Sequence, residues 1–127
     1  MINIGVIDSG VGGLTVLFDV IKEIPNCNYF YIGDSKNCPY GEKDKTEIMN
    51  LSYNLVNYLV KEKNIDILII ACNSISSTSI EFLQNKFTNL KIIGTTKPTV
   101  DYIKNYLNSK KIGIIATKAT IDSNAYQ

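Results

Sequence analysis

The chain has 127 residues, of which 45% are apolar and 20% charged, as expected for one small globular domain. Thirteen basic residues against 12 acidic ones give a net charge of +1, which provides no electrostatic reason to expect nucleic acid or membrane binding. The sequence contains no His and no Arg. A Ser-His-Asp triad, a Cys-His pair, an imidazole metal site and an arginine clamp are therefore excluded within these residues.

The cysteines indicate a reducing compartment. Cys27, Cys38 and Cys72 are odd in number and lack the spacing of a metal site, so we expect free thiols in a cytoplasmic protein. The amino terminus has no basic segment before its short apolar run, unlike a signal peptide. No apolar stretch reaches the roughly 20 residues of a membrane span.

Taken along the chain, apolar runs and helical spacing alternate. A strand ends near Asp8, "DSGVGG" forms a turn, and a helix is stopped by Pro25. A second strand and a polar loop precede a long helix, and the pattern then repeats toward the carboxyl terminus. The predicted strands are 2–7, 29–32, 65–71, 91–94 and 111–116, and the predicted helices are 14–24, 46–63, 74–87, 98–107 and one beginning before 127.

Strict strand–helix alternation predicts an α/β fold with a parallel sheet, in the flavodoxin-like order 2-1-3-4. In such sheets, ligands bind at the carboxyl ends of the strands where the order reverses. The first strand ends at Asp8 and Ser9, and the third ends at Cys72, Asn73 and Ser74. The order therefore predicts that the carboxylate and the thiol meet in one crevice.

Cys72 precedes a predicted helix, whose amino terminus favours a thiolate. The alternative is a buried structural cysteine, which is common. Asp8 has the alternative of capping the first helix, since "DSGVGG" matches neither GxGxxG nor a P-loop. Thr117 and Thr120 either bind a carboxylate or cap the last helix.

The loop "CPYG" offers a further set of candidates. Tyr40 either covers a ligand or belongs to an ordinary turn shaped by Pro39 and Gly41. Cys38 is a second candidate thiol, but no neighbouring residue in the sequence suggests activation. Cys27, in the turn after Pro25, is interpreted as structural.

Four segments together resemble the cofactor-independent aspartate/glutamate racemase family, and within it the glutamate-specific branch. They are "GVIDSGVGGLTV" (5–16), "YIGDSKNCPYG" (31–41), "IIACNSISS" (69–77) and "IGIIATKATIDSNAY" (112–126), in the family's order and spread over the whole chain. Ala116 stands where the family usually has Gly, and "GTTKP" (94–98) replaces an aliphatic-Glu-Pro turn.

The resemblance implies a set of site residues. Cys72 corresponds to the first of two catalytic cysteines, and Asp8 either binds the substrate ammonium or helps Cys72 exchange its proton. Ser74 replaces the usual Thr and keeps its hydroxyl. The substrate-binding residues so implied are Asp8, Ser9, Tyr40, Gly41, Asn73, Ser74, Thr117 and Thr120.

The resemblance also implies a reaction: interconversion of L- and D-glutamate by two thiols on opposite faces of Cα, without cofactor or metal, supplying D-glutamate for peptidoglycan. Family chains are about twice as long, and their second half carries a Cys-Thr-His segment with the second cysteine. We therefore expect a first domain at 1–97 and the start of a truncated second domain, with one strand and the start of a helix, at 98–127.

On this interpretation the 127 residues alone are expected to be inactive. The expected partner is small-molecule glutamate rather than nucleic acid or membrane, and self-association as a homodimer stays open. The alternatives are an aspartate racemase or related member, and a non-catalytic fragment.

Overall fold

The structure, a computed structural model, describes residues 1–106 and 111–127. Strands and helices alternate from residue 3 to residue 106, as the sequence predicts. The elements are β1 (Asn3–Asp8), α1 (Leu14–Glu23), β2 (Asn28–Gly33), α2 (Lys45–Lys63), β3 (Ile67–Ile70), α3 (Asn73–Lys86), β4 (Lys91–Gly94), α4 (Thr96–Tyr106) and α5 (Lys118–Asp122).

The sheet is parallel and has the order β2-β1-β3-β4, which confirms the predicted topology. β1 therefore lies between β2 and β3. Its register places Ile7 opposite Ile70, and Ala71 extends the pairing by donating its N–H to the carbonyl of Ile7 at 2.9 Å. The carboxyl ends of β1 and β3 consequently lie side by side.

Both faces of the sheet are covered, as expected when parallel strands carry continuous apolar runs. Ile4 and Val6 of β1 pack on one face against Leu17 of α1. Ile7 belongs to the larger cluster on the other face, where α2 and α3 pack. This alternation follows from the two-residue period of a strand. Because both faces of β1 are covered, a ligand site can form only at the end of the strand.

The segment at 111–117 differs from expectation, because it forms no strand. A strand requires a hydrogen-bonded neighbour, and within the described ranges this segment has none. Ile112, Ile114 and Ile115 are exposed there. The strand predicted at 111–116 is therefore wrong for this structure, since within the described residues no strand of the sheet pairs with it. α5 follows as a helix of five residues.

α4 begins at Thr96, two residues before the predicted start, because Pro98 fits the first turn of a helix, where its missing N–H costs no hydrogen bond. Leu107, the predicted last residue, lies outside the described residues. The division at 97/98 falls within α4 and stays a prediction. Among residues 1–106 and 111–127, none of the helices has the length and apolarity to cross a membrane.

The loop between β2 and α2 is held by a buried tyrosine. Tyr40 is 1% exposed, and its hydroxyl donates to Asp34 Oδ2 at 2.6 Å. The side-chain amide of Asn37 donates to the same carboxylate. Burial alone would raise the pKa of Asp34, but the hydrogen bonds from Tyr40 and Asn37, with the Lys36 charge, lower it overall. Burial and the bond to Asp34 raise the pKa of Tyr40, so the phenol stays a donor.

Gly13 allows the turn after β1 to pack closely. A Cβ there would lie 2.8 Å from Ala71 Cβ and 2.9 Å from Asp8 Cβ, whereas a Cβ on Gly12 would meet nothing within 4 Å. We predict that Gly13→Ala lowers the free energy of unfolding by about 1–3 kcal/mol through overpacking. Gly12→Ala should leave it unchanged or raise it by up to about 1 kcal/mol. Urea unfolding of both variants measures this, and equal effects would contradict the packing.

The Asp34 carboxylate should make folding sensitive to acid. A carboxyl whose pKa is lowered on folding stabilises the folded state above its unfolded pKa of about 3.9, and this stabilisation is lost as the pH falls through the lowered value. We predict that the free energy of unfolding of the unsubstituted chain falls below about pH 4, and that Asp34→Asn flattens this dependence. Urea titrations from pH 6 to 2.5 measure it. The exposed carboxylate of Asp19 provides the control, since Asp19→Asn should keep the slope.

Candidate active site

A cleft of about 240 Å³ lies at the carboxyl ends of β1 and β3. This is the position that the strand order predicts for a ligand. The cleft is smaller than the roughly 300–1,000 Å³ typical of drug-sized pockets and suits a small metabolite. Its lining consists of Asp8, Ser9, Gly12, Gly13, Cys38, Pro39, Tyr40, Gly41, Ala71, Cys72, Asn73, Ser74 and Thr117.

Cys72 is the residue between β3 and α3. It occupies the N-cap position of α3, with extended backbone, and is 7% exposed. Its thiol donates to Ser9 Oγ at 3.4 Å, across the two neighbouring strand ends. A thiol in this position lies at the positive end of the α3 dipole. The strand-end geometry thus gives Cys72 a chemical environment that an ordinary core cysteine lacks.

Asp8 is the last residue of β1 and is 6% exposed. Its Oδ1 accepts the Ser9 N–H at 2.8 Å. Its Oδ2 accepts the Gly13 N–H at 2.8 Å and the Tyr31 hydroxyl at 3.2 Å. The alternative in which Asp8 is the N-cap residue of α1 is wrong, because Gly13 occupies that position. The carboxylate nevertheless accepts the Gly13 N–H, so it supports both the turn and the helix start.

Gly41 brings the loop before α2 against the segment before α5. A Cβ at Gly41 would lie 2.6 Å from Cβ of Thr117, and the Gly41 carbonyl accepts the Ala119 N–H at 2.8 Å. Tyr40 lines the cleft beside it, with its hydroxyl already donated to Asp34. The loop thus forms one wall of the cleft and also holds residues 117–119 in place.

Four hydroxyls join α3 to the start of α5. Ser74 Oγ and Thr117 Oγ1 are 2.8 Å apart, and Thr117 also donates to Thr120 Oγ1 at 3.2 Å. Ser77 donates to Thr120 Oγ1 at 3.4 Å. Thr117 is also the N-cap of α5, accepting the Thr120 N–H. Capping of the helix by Thr117 is therefore compatible with carboxylate binding by Thr117, because this residue also lines the cleft. Thr120 is 2% exposed and supports Thr117 from behind.

Asn73 starts α3 and lines the cleft. Its Oδ1 accepts hydroxyl donors from Thr95 at 2.8 Å and Tyr126 at 3.0 Å. With the oxygen so occupied, the amide NH₂ is the group that Asn73 can offer to an acceptor in the cleft.

The other two cysteines lie in different environments. Cys38 is exposed and lines the same cleft as Cys72, a neighbourhood that sequence reasoning did not predict. Cys27 packs at the edge of the α1-side cluster, which is formed by Ile4, Val6 and Leu17, as its structural interpretation suggests. The cleft therefore contains two thiols, of which only Cys72 stands at a helix start.

Sequence reasoning missed Tyr31 and Asp34, which are hydrogen-bonded to Asp8 and Tyr40 respectively. Tyr31 lies on β2, where the sequence pattern indicates only a strand residue. Its position two residues after Tyr29, on the same face of the strand next to β1, is the signal that could have identified it. Asp34 follows the end of β2, so it shares the ligand-binding edge of the sheet.

A larger groove of about 830 Å³ lies between α3 and α4, lined in part by Phe82, Thr96 and Lys104. It is not at the carboxyl ends of β1 and β3. We assign the candidate site to the smaller cleft because the carboxylate, the thiol and the hydroxyl cluster converge there.

Comparisons with known proteins give a consistent result. No protein-family profile matches the sequence. A glutamate racemase from Aliarcobacter butzleri is 45% identical over 125 residues, covering 98% of this chain and 48% of that relative. The chain thus spans about half the length of the curated relatives it matches.

Two solved structures carry the same fold. The glutamate racemase from Aquifex pyrophilus aligns with a TM-score of 0.92 and 38% identity, over 98% of this chain and 49% of that one. The glutamate racemase from Francisella tularensis, in complex with D-glutamate, aligns with a TM-score of 0.90 and 34% identity, over 98% and 46%. In sequence and in fold, the chain is therefore homologous, over nearly its whole length, to the amino-terminal half of the glutamate racemases.

Proposed function

We propose that this chain supplies the Cys72 side of a cofactor-independent glutamate racemase site. The observation that carries the proposal is the single cleft in which Cys72, bonded to Ser9, lies with Asp8 and the Ser74–Thr117 hydroxyl pair. The glutamate racemase relatives and the D-glutamate in the Francisella tularensis structure support glutamate as the substrate.

Racemisation removes a proton from one face of Cα and adds a proton to the other. In the proposed step, the Cys72 thiolate takes the Cα proton and becomes a thiol, leaving the electron pair on a planar, carbanion-like carbon. A second acid on the opposite face donates the new proton, and the roles reverse for the other enantiomer. Ser9 Oγ, which accepts from the thiol, would donate its own proton to the sulfur once Cys72 is deprotonated, and the α3 amino terminus lies beside the same sulfur.

The charge that develops on the substrate requires fixed donors. The Asn73 amide and the Ser74 and Thr117 hydroxyls would bind a substrate carboxylate, to which negative charge spreads from Cα. Thr120 holds Thr117 in position, and Tyr40 and Gly41 close the wall against the amino acid. These groups act without a pyridoxal electron sink, so the proposal includes no cofactor.

The proposed product, D-glutamate, would feed peptidoglycan synthesis in the cytoplasm. Aspartate is the competing substrate, because a shorter dicarboxylate would meet the same carboxylate-binding groups. The substrate preference is therefore best measured by comparing L-glutamate with L-aspartate in one assay.

The sharpest test joins residues 1–127 to the second half of the Aliarcobacter butzleri relative. We predict that this chimera interconverts L- and D-glutamate, followed by circular dichroism. Cys72→Ala should lower kcat/KM by at least about 10²–10⁴, as expected for losing one general acid–base group. The matched control, Cys27→Ala, removes a thiol away from the cleft and should retain activity.

The 127-residue chain alone should produce no measurable racemisation, because Cys72 serves one face of Cα and the open cleft admits water. Turnover by the chain alone, equal to that of the chimera, would contradict the two-base proposal. Equal losses in Cys72→Ala and Cys27→Ala would contradict the assignment of Cys72. Faster turnover of aspartate than of glutamate would show that aspartate, and not glutamate, is the preferred substrate.

A further inference from the structure

The Asp8 carboxylate has an almost complete set of hydrogen bonds before any ligand binds. A carboxylate offers about four acceptor positions, two on each oxygen. The N–H of Gly13 and the Tyr31 hydroxyl occupy Oδ2, and the Ser9 N–H occupies one position on Oδ1. One acceptor position, on Oδ1, therefore remains for a group in the cleft.

Tyr31 is the side chain that completes this set. It lies on β2 opposite Val6 of β1, and its ring packs with the α1-side cluster. Its single hydroxyl proton is shared between two acceptors, the Gly10 carbonyl at 2.9 Å and Asp8 Oδ2 at 3.2 Å, in a bifurcated hydrogen bond. It thus links the carboxylate to the turn that follows it. Burial, with the nearby charges of Asp8 and Cys72, raises the pKa of Tyr31 to about 12, so the phenol remains a donor at neutral pH.

We infer that Tyr31 is a positioning residue, which fixes the Asp8 carboxylate so that its one open acceptor position receives an N–H of the substrate ammonium group. The inference rests on the proposed function for the identity of the ligand. It also distinguishes between the two roles open to Asp8. The Cys72 sulfur is hydrogen-bonded to Ser9 Oγ rather than to Asp8, which leaves the open position on Asp8 to the ammonium.

The chain offers a matched control for Tyr31. Tyr29 lies two residues earlier on the same face of β2 and packs against the same cluster. Its hydroxyl also donates to a backbone carbonyl, that of Ile24, which is outside the cleft. Tyr29→Phe therefore reproduces the loss of a phenol from β2 without touching Asp8.

The first measurement uses the 127-residue chain and needs no turnover. Gly13 donates its N–H to Asp8, so amide exchange at Gly13, measured by NMR relative to the core amide of Val6, reports how firmly the carboxylate is held. We expect Tyr31→Phe to speed Gly13 exchange about fivefold relative to Val6, the effect of losing one hydrogen bond, and Tyr29→Phe to leave the ratio unchanged. An unchanged ratio in Tyr31→Phe, or equal changes in both variants, would overturn the positioning role.

The second measurement uses the chimera described above. Because the ammonium is bound in the ground state and the transition state alike, Tyr31→Phe should raise KM for L-glutamate about tenfold and leave kcat within about twofold. Inhibition by glutarate, which has both carboxylates but no ammonium, should be unaffected. A fall in kcat at constant KM, or an equally weakened glutarate inhibition, would overturn the ammonium assignment.

The two measurements separate the inference from the function on which it rests. If the unsubstituted chimera does not racemise glutamate, the proposed function fails, and the ammonium assignment fails with it. Gly13 exchange still decides whether Tyr31 holds Asp8. If the chimera is active but Tyr31→Phe behaves like Tyr29→Phe in both measurements, only the Tyr31 inference fails.

Discussion

The parallel pairing of β1 with β3 is the interaction on which the candidate site depends. It places the ends of two strands, about 60 residues apart in the chain, at hydrogen-bonding distance. The hydrogen bond from Ala71 to Ile7 carries the register to the last residue before Cys72. A slip of one residue would turn every side chain to the other face of the sheet, so the same register that buries Ile7 also directs Asp8 and Cys72.

Around this pair, the polar groups are held by one another before a ligand arrives. Asp8 receives donors from the turn and from β2, and Asn73 receives them from Thr95 and Tyr126. Fixed donors and acceptors in a partly buried cleft need little rearrangement on binding, which is the property that electrostatic stabilisation of a reaction requires. The wall formed by the loop before α2 depends in turn on one carboxylate, Asp34, rather than on apolar packing alone.

Hydrophobic periodicity predicted the alternation of strands and helices, and the β1–β3 neighbourhood followed from it. The same signal was wrong for residues 111–116, because an apolar run specifies burial in a sheet only if a partner strand is present. The position of Cys72 could be predicted because a strand end and a helix start are local features. The contacts of Tyr31 with Asp8 and of Ser74 with Thr117 could not, since each joins residues from distant parts of the chain.

The hydroxyl pair of Ser74 and Thr117 has a thermodynamic consequence for any carboxylate that enters the cleft. Because the two oxygens bond each other at 2.8 Å, a ligand that takes a hydrogen bond from both must first separate them. Binding is then an exchange reaction, in which two neutral hydroxyl–hydroxyl bonds, Ser74–Thr117 and Thr117–Thr120, are replaced by two stronger bonds to a charged acceptor. The net free energy of binding is the difference between the bonds formed to the ligand and the hydroxyl bonds displaced. A neutral ligand forms weaker bonds, so the hydroxyl pair would discriminate against it.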